Sequence, residues 1–366
     1  MEIKFKRTKD QIALVKQMAS ANKAEAIEAQ EMMAAFMSQT LAEVIDTAPT
    51  MSNYYTTVPF NPDENPSFPV DLYSDITDED FLKVYSQSVP GGLPSNEVVV
   101  PSQEMKVATY SLDSAWSFDS KYARRSRLDV VAKTFQRMMQ EVMLKQETTS
   151  ANHILGTLAD NAANTVITGS STALLPADFN DLIVRAERVN SSCTRGTPAG
   201  NVGAVTDIVL GPERMADLRA MAYNPINTVD SDQTVASGAD SGIAAPDGIR
   251  SGLFNGGGIP TFYGLGIRNI RELGVGRKWT NVYDALSGSD FDAATDDLVL
   301  ALDLSGSSMI RVVSTDPDSN SSISVNVDDQ FVARQRKIGW WMELEEGRVI
   351  LDWRKIFGIR IDNANA

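Results

Sequence analysis

From Ser126 to Leu155 the chain runs "SRLDVVAKTFQRMMQEVMLKQETTSANHIL", with neither proline nor glycine. Leu128, Val131, Phe135, Met138 and Val142 recur at steps of three and four, the signature of one apolar helix face. Lys145 and Thr149 interrupt this stripe, and Ile154, Leu155 and Leu158 resume it in another phase. That interruption argues against a sustained coiled coil and predicts a single rod with one face packed on a sheet. At 1.5 Å per residue the rod spans about 45 Å. Ser126 with Asp129 resembles a capping box at its start.

The same periodicity predicts a helix over residues 9–46, ended by Pro49. Its apolar positions are Ile12, Val15 and Met18, then Met33, Phe36, Met37, Leu41, Val44 and Ile45. Residues 49–101 break all periodicity, because eight of the 15 prolines fall there. Within them "DITDEDFLKVYSQ" reads as a short helix, Pro90-Gly91-Gly92 as a turn and Val98–Val100 as an extended run. Such a segment suits an arm reaching another subunit better than a loop inside a compact domain.

Residues 105–119, "MKVATYSLDSAWSFD", alternate as a strand does. "ADFNDLIVRAERV" (177–189) is a further helix, and "VTDIVLGPERMADLRAMA" is a strand, a glycine turn and a helix. In the latter Pro212 stands in the first helical turn, and Met215, Leu218 and Met221 point inward. Residues 231–276 hold at least ten of the 24 glycines, and "GGGIPTFYGLGI" reads as strands joined by tight turns. "DDLVLALDL", "SSMIRVVS" and "SISVNV" are strand-like. Ile338 to Trp353 reads as a hairpin with its turn at Glu346-Gly347 and with Ile338, Trp340, Met342 and Leu344 on one face. "IFGIRI" closes the chain as a last strand. The fold class expected is α+β.

Chemistry is sparse. The 366 residues include one histidine and one cysteine. His153, near the end of the rod, reads as a surface residue or a cation at a helix C-terminus. Cys193, in "NSSCTRG", reads as a loop residue and excludes an internal disulfide. "NGGGIPTFYGLG" has neither the lysine of a phosphate loop nor the glycine spacing of a dinucleotide site. "DPDSNSS" starts like a calcium loop at Asp316, Asp318 and Asn320, but Ser321 and Val327 stand where Gly and Glu are needed, so it reads as a β-turn. Tryptophans 116, 279, 340, 341 and 353 fall in β-like segments, as core or interface groups. No catalytic residue, no cofactor site and no metal site is assigned.

The net charge of −15 disfavours tight nucleic-acid binding through a broad basic face. Against it stand two basic clusters: Lys4, Lys6, Arg7 and Lys9 at the start, and Lys121, Arg124, Arg125 and Arg127 in "KYARRSR". The second cluster opens the rod, the wrong end for the helix dipole. It reads either as a plain surface cluster or as a contact for an acidic partner such as a neighbouring copy.

This order of elements resembles the major capsid protein of tailed bacteriophages, the Hong Kong 97-type fold shared with encapsulins. The resemblance spans nearly the whole chain and rests on architecture. An arm (1–51) precedes an extended loop region (52–107). Then come a strand and long helix, "ATYSLDSAWSFDSKYARRSRLDVVAKTFQRMMQEVMLKQETTSANHIL". "TDIVLGPERMADLRAM" falls in the next part, and "QFVARQRKIGWWMELEEGRVILDWRKIFGIRI" ends the chain. The resemblance implies a peripheral domain of residues 108–176 and 302–366, with its spine helix at about 126–157. It implies an axial domain of residues 177–301. It also implies self-assembly as hexamers and pentamers into an icosahedral shell, enclosing double-stranded DNA without sequence-specific binding. Portal and scaffolding or cement proteins would be partners, and no membrane is involved. The location implied is the virion capsid, with assembly in the host cytoplasm. An encapsulin-like compartment and a phage tail or baseplate protein are the alternatives, with an enzyme a third that the poor inventory of catalytic residue types disfavours. Some members of the family cross-link through a Lys and an Asn, but no such pair is assigned here, Lys83 and Lys106 being the few lysines of the loop region. The residues expected at subunit interfaces are Lys4, Lys6, Arg7, Pro90, Gly91, Gly92, Lys121, Arg124, Arg125 and Arg127.

Overall fold

The computed structural model describes residues 9–20, 22–47, 51–62, 64–69, 104–125, 128–190, 205–223, 261–262, 264–288, 291–305, 308–315, 322–328 and 336–362. Two helices come first, α1 (Lys9–Gln17) and α2 (Lys23–Thr47). Strands β1 (Thr56–Phe60), β2 (Ser67–Pro69), β3 (Glu104–Lys106) and β4 (Thr109–Asp119) follow. Then come α3 (Ser120–Arg124), α4 (Leu128–Asp160), α5 (Ala162–Thr165), β5 (Val166–Thr168), α6 (Pro176–Asn190), β6 (Asp207–Leu210) and α7 (Pro212–Tyr223). The remainder is β7 (Thr261–Phe262), β8 (Leu265–Asn269), α8 (Lys278–Ser287), β9 (Asp296–Leu302), β10 (Met309–Ser314), β11 (Ser324–Val327), β12 (Lys337–Ile350) and β13 (Ile356–Asp362).

The chain divides into two compact units. The first takes Met1–Pro69, Glu104–Ala151 and Met309–Val349. Its sheet runs β1-β10-β12-β11, with β4 also paired to β12. Along β4 the even-numbered positions from Tyr110 to Phe118 turn inward and most odd ones outward, as the alternation predicts. Val131, Phe135, Met138 and Val142 of α4 are buried in one cluster with Ile338, Trp340, Met342 and Leu344 of β12. The rod therefore packs on a sheet, as its interrupted stripe indicates. It is 33 residues long, about 50 Å.

The expected single helix over 9–46 is two helices. The first ends at Gln17, and Asn22 starts the second: its Oδ1 accepts from the Ala24 amide at 3.3 Å, the geometry of a helix N-cap. Val15, Met18, Met33 and Met37 join the same core, whereas Phe36 is exposed. Gln30, buried on α2, donates through Nε2 to the Met18 carbonyl at 3.0 Å. The Gln30 backbone carbonyl accepts from Trp340 Nε1 at 3.3 Å. α2 is thus tied to β12 by a hydrogen bond as well as by apolar burial.

The expected hairpin at 338–353 is a single 14-residue strand. β12 pairs antiparallel with β4 without a break from Lys337↔Asp119 to Gly347↔Thr109. Gly347 serves close approach and not a turn. A Cβ there would lie 2.9 Å from the Ala108 carbonyl oxygen and 2.9 Å from Val107 Cγ1.

The second unit takes Val70–Gln103, Asn152–Ser308 and Ile350–Ala366. Its sheet runs β5-β13-β9-β6-β8-β7, so β13 pairs with β9 and β5 and lies outside the sheet that holds β12. β9 is buried along its whole length, as expected of a central strand covered on both faces. Asp207–Leu210, Gly211 and Pro212–Tyr223 form the strand, turn and helix read from the sequence. Gly211 admits no side chain, because a Cβ would sit 2.6 Å from the Leu273 carbonyl oxygen. Gly264, at φ +81°, makes the tight turn between β7 and β8. Trp279 lies on α8, and Trp353 on a short 3-10 turn, instead of on strands. The loop around Cys193, residues 316–321 and most of the glycine-rich stretch lie outside the described residues.

Candidate assembly surfaces and a buried ion cluster

The apolar phase of β12, on even-numbered residues from Ile338 to Leu344, continues inward through Glu346 and Arg348. Both are buried. Arg348 forms an ion pair with Glu346 at 2.6 Å, and Arg311 of β10 reaches the other carboxylate oxygen at 2.9 Å. Gln146 of α4 donates to Glu346 at 3.1 Å. Tyr110 of β4 donates to it at 2.9 Å and accepts from Arg348. Arg348 also donates to the Ser52 hydroxyl at 3.1 Å. One carboxylate thereby joins α4, β4, β10, β12 and the segment before β1.

Burial pushes the Glu346 carboxyl up, but the Arg348 and Arg311 guanidinium groups and their hydrogen bonds outweigh it, so it stays below the usual carboxylate range. Burial, with the Glu346 charge, pushes the Tyr110 phenol up to about 12. Arg348 Nε is left without an acceptor, but the remaining bonds fasten the elements together. In the second unit Arg214 of α7 plays a similar part. It binds Asp297 of β9 at 2.7 Å and Asp217 at 2.8 Å, and donates to the Thr172 carbonyl at 2.9 Å. Among the described residues no group of three His, Cys, Asp or Glu side chains is placed to hold a metal ion. No helix among them is long and apolar enough to cross a membrane.

Of the expected interface residues, Lys121, Arg124 and Arg125 are described, and all three are exposed. They do not open the rod. Lys121 and Arg124 lie on the last turn of the separate helix α3, the end that favours cations, and Asp119 caps its start by accepting from the Lys121 amide at 2.9 Å. Lys121 also meets Asp119 at 3.8 Å, with three-quarters of its side chain in solvent. Lys4, Lys6, Arg7, Pro90, Gly91, Gly92 and Arg127 lie outside the described residues. His153 is exposed on α4.

Two surface features were not read from the sequence. On α4, Lys133, Arg137 and Leu144 stand in solvent, the last 51% exposed. On α2, Glu25, Glu28 and Glu31 are exposed together with Ile27, Phe36 and Met32, the last 55% exposed. Their signal lay in the positions left over once the buried stripe of each helix was removed, and those positions mix charge with large apolar groups.

No family model and no curated protein matches the sequence. Solved structures do. A protein of Microbacterium phage Oxtober96 superposes with a TM-score of 0.50, over 86% of this chain and 91% of that one, at 12% identity. The chain has the Hong Kong 97-type fold. A chain from the capsid structure of the cyanophage P-SCSP1u matches 87% of this chain and 89% of its own length at 13% identity and a TM-score of 0.48. A chain of the holo-SrpI encapsulin complex from Synechococcus elongatus PCC 7942 matches 85% and 86% at 10% identity and a TM-score of 0.45. In the Hong Kong 97-type fold of this chain α4 is the long helix and β12 the strand it packs on.

Proposed function

We propose that this chain is a major capsid protein. It self-assembles as hexamers and pentamers into an icosahedral shell that encloses the double-stranded DNA of a tailed phage. The observation that carries this reading is the Hong Kong 97-type fold, aligned with a phage protein over 86% of the chain. The poor inventory of catalytic side chains fits a structural protein and not an enzyme. In this reading residues 1–51 remain as an arm, 52–107 form the extended loop, and 177–301 form the axial part. Portal and scaffolding or cement proteins are its further partners, and the virion is its place after assembly in the host cytoplasm.

Negative-stain electron microscopy of the purified chain, with a nuclease-protection assay on particles from producing cells, tests the proposal. Closed shells protecting double-stranded DNA are expected. Shells holding protein cargo and no protected DNA would make it a compartment protein. Tubes or fibres would make it a tail component, and a monomer at every concentration would overturn the shell reading.

A further inference from the structure

The first unit carries two exposed faces of opposite character on different elements. The outward face of α2 presents Glu25, Glu28 and Glu31 with Met32 and Phe36, and Lys23 is the one cation of the helix. On α3 and α4, Lys121, Arg124, Arg125, Lys133, Arg137 and Lys145 are exposed together with Tyr122 and Leu144, and Glu141 is an exposed carboxylate among them. None of Glu28, Glu31, Arg124, Arg125, Lys133 and Arg137 makes an ion pair with another described residue.

We infer that the α2 face of one copy docks on the α3–α4 face of the next copy. Charge complementarity is the first reason: carboxylates dominate one side and cations the other, so unlike faces attract while like faces repel. The second reason is the apolar groups interleaved with the charges. Leu144 and Tyr122 gain from burial against Met32 and Phe36 but gain nothing from a phosphate backbone, which needs cations alone. The third is the net charge of −15, which opposes approach to any long polyanion and leaves a local acidic patch as the better match. Because the two faces differ, the contact is heterologous. Such a contact passes from copy to copy and closes into a ring when the rotation permits. This inference rests on the proposed shell function and supplies one of its subunit contacts.

A charge-swap cycle tests it. One variant carries Glu28→Lys with Glu31→Lys, a second carries Lys133→Glu with Arg137→Glu, and a third carries all four changes. All four side chains are exposed, so each variant should melt within a few degrees of the wild type. Sedimentation velocity reads the protein concentration needed for assembly. Each two-site variant is expected to need about tenfold more protein or more, the combined variant to return to within about threefold of wild type, and wild-type assembly to weaken with added salt. Failure of the combined variant to recover, while wild type assembles, overturns this contact and leaves the shell reading standing. A wild type that never assembles overturns both. If the basic-face variant assembles normally but loses retention on double-stranded DNA at low salt, the partner is nucleic acid and the inference is wrong. If the swaps alter melting and not assembly, the faces meet within one chain, which also overturns it.

Discussion

Glu346 shows how one residue decides whether a region is surface or core. A Glu-Gly pair between two apolar runs has the composition of a turn, yet its carboxylate accepts from two buried arginines, a glutamine and a tyrosine. Removing one member of such a cluster leaves an uncompensated charge in low dielectric. Glu346→Ala should therefore lower stability by about 3–5 kcal/mol, measured by urea unfolding. A loss under about 1 kcal/mol would mean that the arginines find water instead. The pH dependence has a definite sign. The Glu346 carboxyl is held below its unfolded value, so its contribution is complete above the unfolded pKa and is lost as pH falls through the folded value. Wild type should lose melting temperature steeply below about pH 4, and Glu346→Gln, already destabilised, should lose less over that range. The Tyr110 phenol is raised to about 12. Its contribution is complete below about pH 10 and is lost as pH rises toward 12. Tyr110→Phe should flatten that alkaline limb in a melting series.

At the scale of elements, regular periodicity was legible and interruptions were less so. The stripe Val131, Phe135, Met138, Val142 predicted both the long helix and its sheet partner, because burial on one side leaves a direct imprint on side-chain type. Phe135 is fully buried in that interface. Phe135→Asp should abolish assembly and cost several kcal/mol, seen as loss of particles and of cooperative melting. Normal assembly of Phe135→Asp would place α4 in the wrong rotation. β12 was misread as a hairpin because a glycine that permits a turn and a glycine that permits close approach look alike in sequence. The alternating phase through Leu344, Glu346 and Arg348 was the clue that the strand continued. Gly347→Asn separates the two readings: a turn tolerates it, whereas a strand lying 2.9 Å from the Ala108 carbonyl oxygen should lose roughly 1–3 kcal/mol. The break at Asn22 is a third case. Helix propensity is high on both sides, and only the cap geometry shows that one run is two. Trp279 was placed on a strand because aromatic residues favour both strands and buried helix faces.

For the whole molecule, the sequence carried the fold through the order of its elements and not through any sharp motif. Local side-chain patterns record what each segment buries, whereas the surfaces proposed to meet a neighbouring copy lie in the leftover positions of α2, α3 and α4. That is why the spine helix and its sheet were readable, while Lys133, Arg137, Glu28 and Glu31 were not marked as contacts. The proposed function requires that this chain close into a shell. The most direct measurement is electron microscopy with image classification on the purified wild-type chain under assembly conditions. Closed particles of uniform size built from five- and sixfold rings are the result predicted. A homogeneous monomer at every concentration and salt, or open fibres without rings, would contradict it.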